Sequence, residues 1–128
     1  SAIVARTRVP DALLLAAEPD GADDAFESLR RGARVTDIVP DTICDGLRAT
    51  IGAINLDLLQ RHAVEVAVVR DGETIAAMRL VWQRLKQLVE PSSAIVLAAV
   101  FAQRERLAGR RVGIILSGGN VDLDALPW

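Results

Sequence analysis

The 128 residues include one cysteine, one histidine and one lysine. Cys44 has no second thiol in the chain with which to form an internal disulfide, which fits a reducing, cytoplasmic setting. His62 has no cysteine or second histidine to build a metal set with, and it stands at the end of a helical pattern. A role at the negative end of a helix dipole suits it better than catalysis. No apolar run approaches the ~20 residues of a membrane span, and no secretory signal pattern is visible. Charge of neither sign dominates: 15 Lys and Arg against 17 Asp and Glu give a net charge of −2. The basic residues form no block, which argues against a nucleic-acid footprint and a polybasic membrane patch.

What is present is ordinary for a folded body, with 51% hydrophobic and 25% charged residues. There are no internal repeats, low-complexity tracts or linkers, so residues 1–128 read as one domain. Ala2 to Arg8 has helical periodicity, and the unbroken apolar run Ala12 to Ala17 ends at Glu18-Pro19, predicting a helix that feeds a buried strand. Asp20 or Asp23 caps a second helix through about Arg31, with Phe26 and Leu29 inward and Gly32 just past its end. Ala33 to Arg48 reads as loop, with a short strand around Val35 to Val39. A third helix covers roughly Ile51 to Gln60, and Val64 to Val69 supplies another strand. Asp71-Gly72 turns the chain. Thr74 then opens an amphipathic helix with Ile75, Met78, Trp82, Leu85 and Val89 on one face. Pro91, Ser92 and Ser93 mark a fresh start, and Ala94 to Ala102 is apolar nearly all round, as in a helix buried within a larger body.

The organising stretch is Val112 to Asn120, VGIILSGGN. Val112, Ile114, Ile115 and Leu116 predict a central parallel strand covered on both faces. Ser117, Gly118, Gly119 and Asn120 break it. Ligands collect at the carboxyl ends of strands in open α/β sheets, and a hydroxyl followed by two glycines is well placed there, although the glycines alone could simply turn the chain. Three strands alternating with helices indicate an α/β layer with a parallel sheet.

Four ordered segments carry a resemblance: AAEPDGADD from Ala16, DTICDGLRA from Asp41, RLKQLVEPSSAIVLAA from Arg84, and VGIILSGGNVDL from Val112. Together they resemble the carboxy-terminal portion of the serine/threonine dehydratase and serine racemase family, pyridoxal-phosphate enzymes of the tryptophan-synthase-β-like fold. EPSSA and SGGNVDL are the most specific parts, and the likeness covers nearly the whole chain. It implies a three-layer αβα body with a mainly parallel sheet, pyridoxal phosphate as cofactor, a small hydroxy-amino acid as substrate, and a homodimer. It also implies that Ser117 meets the pyridine nitrogen, that Gly46 lies in a loop passing close to the cofactor ring, and that Glu90 faces the active site. The matching glutamate, alanine carbonyl and aspartate of serine racemases bind magnesium or calcium, so Glu18, Ala22 and Asp24 are candidate cation ligands. Each has a simpler alternative: a turn at Asp45-Gly46, helix-start carboxylates at Glu90 and at Asp20, Asp23 and Asp24, and a strand-end turn at Ser117.

Lys86, the only lysine, matches a family residue that is not the Schiff-base lysine and reads as a solvated side chain of its helix. In the family the Schiff-base lysine and the glycine-rich phosphate loop belong to the amino-terminal portion. Ser1 is not methionine, and SAIVARTR reads as the tail of a helix, so the expectation is a fragment or one piece of a longer protein that carries those parts. The resemblance thus implies a dehydratase giving a 2-oxo acid and ammonia, with serine racemase as runner-up. A non-catalytic binding or assembly module is the rival from another class.

Overall fold

The computed structural model describes residues 1–128. The first apolar run becomes β1, Leu15–Pro19, and the second becomes β2, Glu65–Val69. They pair in parallel, with Leu15 opposite Glu65 and Pro19 opposite Val69. Helices α1 (Ala2–Arg8), α2 (Asp24–Arg31) and α3 (Ala53–Arg61) surround this pair, followed by α4 (Asp71–Leu85), α5 (Pro91–Ala102) and α6 (Arg104–Leu107). Two parallel strands joined through helices form the α/β layer predicted from the sequence. No helix is long and apolar enough to cross a membrane.

The core lies where α5 crosses the sheet. Ala67 and Val69 of β2, Ala77 of α4 and Ile95, Ala98 and Ala99 of α5 form one cluster that also takes in Cys44. Small residues on α5 let it approach both strands, and its few polar groups are confined to its first turn. A second cluster joins Met78, Val81, Val89 and Ala94, with Trp82, Leu116, Val121 and Leu126 packed against it.

Several sequence expectations change. The buried face of α2 is Asp24, Ala25 and Ser28 rather than Phe26 and Leu29, because the Ser28 hydroxyl donates to the Asp24 carbonyl and accepts from Val35 N–H. No strand forms around Val35 to Val39, where Val39 is 92% exposed. In α4 the inner face is Thr74, Ala77, Met78 and Val81, and Leu85 faces solvent. The helix ends at Leu85 because Lys86 adopts a left-handed conformation with φ 57°. Val89 reaches the core from the following loop, where its carbonyl accepts the Trp82 indole N–H at 2.9 Å.

The largest correction concerns Val112 to Leu116, which is not a strand. No backbone N–H or C=O of these five residues bonds another backbone group, and Ile115 is 65% exposed. The reason is a missing neighbour. The Leu14 carbonyl and the Asp20 N–H both bond β2, so alternation along the strand turns the backbone groups of Leu15 and Ala17 the other way. Between that open edge of β1 and residues 112–115 lies an apolar groove of about 600 Å³, floored by Val96, Ala99 and Val100 of α5.

Candidate functional site

The loop holding Gly46 is built from the start of α4. Asp71, read from sequence as part of a turn, is the first residue of that helix. Its carboxylate accepts from the Thr42 hydroxyl at 2.6 Å and from Ile43 N–H at 2.8 Å. Arg48 closes the loop by donating twice to the Thr42 carbonyl, and Cys44 is fully buried in the core beneath it. A single turn of 3₁₀ helix, Asp45–Leu47, then presents Gly46 to the first turn of α5. Gly46 N–H donates to Ser92 Oγ at 3.0 Å, and a Cβ at this position would stand 3.0 Å from that oxygen.

The SGGN turn arrives at the same helix end. Ser117 N–H donates to Ser93 Oγ at 2.9 Å and Gly118 N–H to the same oxygen at 3.4 Å. Glu90 N–H returns a bond to the Gly118 carbonyl at 3.1 Å. The Glu90 carboxylate lies over Gly118 so closely that a Cβ there would fall 1.6 Å from Oε1, which only glycine accommodates as the side chains stand. Gly46, Glu90 and Ser117, far apart in sequence, are thereby gathered around residues 90–93. Ser117 is exposed, and its hydroxyl makes no hydrogen bond within the chain. Ser92 and Ser93 were legible in the sequence only as a helix start, although two adjacent hydroxyls there were a usable signal.

Glu18, Ala22 and Asp24 sit at the end of β1 and the start of α2. Glu18 accepts from Ala25 and Phe26 N–H at 3.2 and 2.9 Å. It thus satisfies free donors of α2, while the N-cap Asp23 makes no side-chain capping bond. Burial pushes the Glu18 carboxyl up to about 7, against the pull of those two N–H groups. Asp24, 1% exposed, accepts from Ile51 N–H at 2.7 Å. These carboxylates serve the chain's own backbone donors, and no three His, Cys, Asp or Glu side chains gather into a metal cluster.

The remaining reactive types stand apart from this site. Lys86 is the exposed C-cap of α4, not a residue on its face, and its ammonium donates to the Gln83 carbonyl at 2.8 Å. His62 is the C-cap of α3, as its place in the sequence suggested, and its carbonyl accepts from Arg6 at 2.7 Å. Burial pushes the Cys44 thiol up to about 11, leaving it un-ionised and unreactive near neutral pH.

The chain is an α/β protein in which a glycine-bordered hydroxyl and the Gly46 loop meet at the start of α5. The family model described as "Pyridoxal-phosphate dependent enzyme" matches residues 2–118, and the chain belongs to that family. It is 42% identical over 122 residues to a beta-hydroxyaspartate dehydratase of Paracoccus denitrificans (strain Pd 1222), covering 95% of this chain and 39% of that one. Among solved structures, a maize serine racemase superposes with a TM-score of 0.89 at 39% identity, covering 96% of this chain and 39% of the other. A T.th. threonine deaminase superposes with a TM-score of 0.89 at 35% identity, covering 95% and 45%. The chain spans about two fifths of the length of these relatives. Family membership implies pyridoxal phosphate, and the unspent Ser117 hydroxyl fits a ring nitrogen: it is neutral, reachable and held by its own backbone.

Proposed function

We propose that the complete protein is a pyridoxal-phosphate-dependent ammonia-lyase acting on serine, threonine or a related hydroxy-amino acid. Water is lost across Cα and Cβ, and hydrolysis of the resulting enamine gives a 2-oxo acid and ammonia. The observation carrying this reading is the free Ser117 hydroxyl, on a backbone held at the same helix start that Gly46 meets, in a chain of this family. When bound, the cofactor withdraws electrons from Cα of the amino acid. Ser117 orients the ring through its nitrogen and, as a neutral alcohol, gives up no proton to it. That milder electron demand suits a reaction in which a leaving group departs from Cβ and carries the negative charge away. Gly46 lets the 3₁₀ turn approach the Ser92 hydroxyl closely, and Gly46 and Glu90 line the site.

The lysine and phosphate loop belong to the rest of the protein in this reading, since Lys86 is exposed and bonded to its own helix end. A segment of that remaining portion fills the groove beside β1, pairing with the free edges of Leu15 and Ala17 and of residues 112–116. The complete protein is a cytoplasmic homodimer. Serine racemase is the second reading, favoured by the likeness to the maize enzyme. No step requires a cation at Glu18, Ala22 and Asp24, whose carboxylates already hold backbone donors.

The test is Ser117→Ala in the complete protein. A fall in turnover of about tenfold or more, the worth of one lost hydrogen bond of ~1.4 kcal/mol, is expected with the fold intact. Unchanged kinetics would remove Ser117 as the ring partner. Product analysis separates the readings: pyruvate from L-serine marks the lyase, D-serine the racemase. The 128-residue chain by itself should turn over neither serine nor threonine, and activity from it would overturn the assignment of the catalytic lysine to the remaining portion.

A further inference from the structure

We infer that Ser93 is a positioning residue for the cofactor site: its hydroxyl oxygen holds the Ser117 and Gly118 backbone where it stands. The inference rests on the reading of Ser117 given above. In most parallel α/β sheets the residue at a strand's carboxyl end is located by the ladder on either side of it. Within this chain residues 112–116 bond no other backbone group, and the Ser117 backbone is held from α5. The hydrogen bonds that hold the turn come from the start of α5. Ser93 Oγ takes both the Ser117 and Gly118 N–H groups, and Glu90 N–H holds the Gly118 carbonyl. Leu116 packs against the cluster around Met78 and Ala94.

Ser93 is suited to the task because it is itself immobile. It is 1% exposed, its N–H donates to the Glu90 carbonyl at 3.0 Å, and Ala94 and Ile95, buried beside it, fix the helix in the core. Its neighbour Ser92 performs the parallel task for the other wall, accepting Gly46 N–H and donating to Asp45 Oδ1 at 3.4 Å. Two consecutive hydroxyls therefore hold the two loops in register with each other. An alanine at 93 leaves the Ser117 hydroxyl chemically unchanged but its backbone untethered.

Amide exchange and cofactor titration on the complete protein test this. In the apoprotein, Ser93→Ala should speed exchange at the Ser117 and Gly118 amides about tenfold, leave α4 and α5 protected, and weaken pyridoxal-phosphate binding about tenfold. Ser93→Thr, which keeps the oxygen, should restore both. Unchanged exchange at the two amides would overturn the inference, and so would a failure of threonine to restore them, which would assign the effect to packing. If Ser93→Ala unfolds the protein, Ser93→Cys replaces it, with a weaker acceptor in nearly the same volume. Faster exchange confined to the two amides then supports the inference, and normal exchange overturns it. Ser92→Ala should leave the Ser117 and Gly118 amides protected, and the Gly46 amide keeps its bond to Asp45 Oδ1 at 2.8 Å; faster exchange at Ser117 and Gly118 in that variant would overturn the assignment to Ser93. Ser117→Ala should weaken cofactor binding while its backbone amide stays protected. Retained affinity in that variant would sink the ring-partner reading without touching the amide result.

Discussion

β1 and residues 112–116 are both short apolar runs ending in a polar turn, yet one is a strand and the other is only extended. Leu15–Pro19 has β2 beside it and α5 across its face, so its backbone groups are paired along one edge and Pro19 is buried. Val112 to Leu116 has a groove where a neighbour would be, and Ile115 lies 65% exposed. The difference teaches that apolar patterning specifies which residues seek burial, whereas a strand exists only when another strand accepts its hydrogen bonds.

The sharpest way to probe this contrast is to cut one side chain from each region of the 128-residue chain and follow urea unfolding. Met78→Ala, at a fully buried position, should cost about 2–5 kcal/mol. Ile115→Ser should change stability by no more than about 0.5 kcal/mol. A clearly larger cost for Ile115→Ser in the complete protein would mean that the groove is filled there. Next come two glycines. A Cβ on Gly21 would meet the Asp41 backbone oxygen at 1.7 Å, whereas on Gly118 it would meet the end of the Glu90 side chain. Gly21→Ala should therefore destabilise by about 1–3 kcal/mol. Gly118→Ala should cost less, because Glu90 can swing aside. Equal losses would show the carboxy-terminal turn to be as rigidly packed as the sheet.

A further effect is a pH slope. Desolvation raises the Glu18 carboxyl from 4.5 to about 7, so between those values the folded chain holds a proton that the unfolded chain has released. Its contribution is complete below pH 4.5 and is lost as the pH rises through 7. Glu18→Gln should flatten the stability profile across that window, and an unaltered slope would place the titrating group elsewhere.

Much of this was legible in the sequence because the signals were local. The apolar runs before Pro19 and before Arg70, the helix after Pro91 and the glycine after Arg31 each announce themselves within a few residues. What escaped depends on partners distant in the chain. Asp71 looks like half of a turn until Thr42 and Ile43 are seen to bond it. That Glu18 serves α2 shows only when the Ala25 and Phe26 N–H groups are seen to bond it. The end of α4 at Leu85 carries no glycine to mark it, since Lys86 itself takes the left-handed turn. Gly46 and Glu90 were singled out through the family resemblance, and Ser117 first through its place after an apolar run; only the resemblance gave the three their roles. Their meeting at α5, and the serines that arrange it, needed coordinates.

Trp128, the last residue, places its ring edge-on to Trp82, with centroids 5.3 Å apart and planes 88° apart. These are the only two indoles, and there is no tyrosine. Long-wavelength ultraviolet emission therefore arises wholly at the seam between the helical core and the tail. Undocking of that tail registers as a change in intrinsic fluorescence with no label attached.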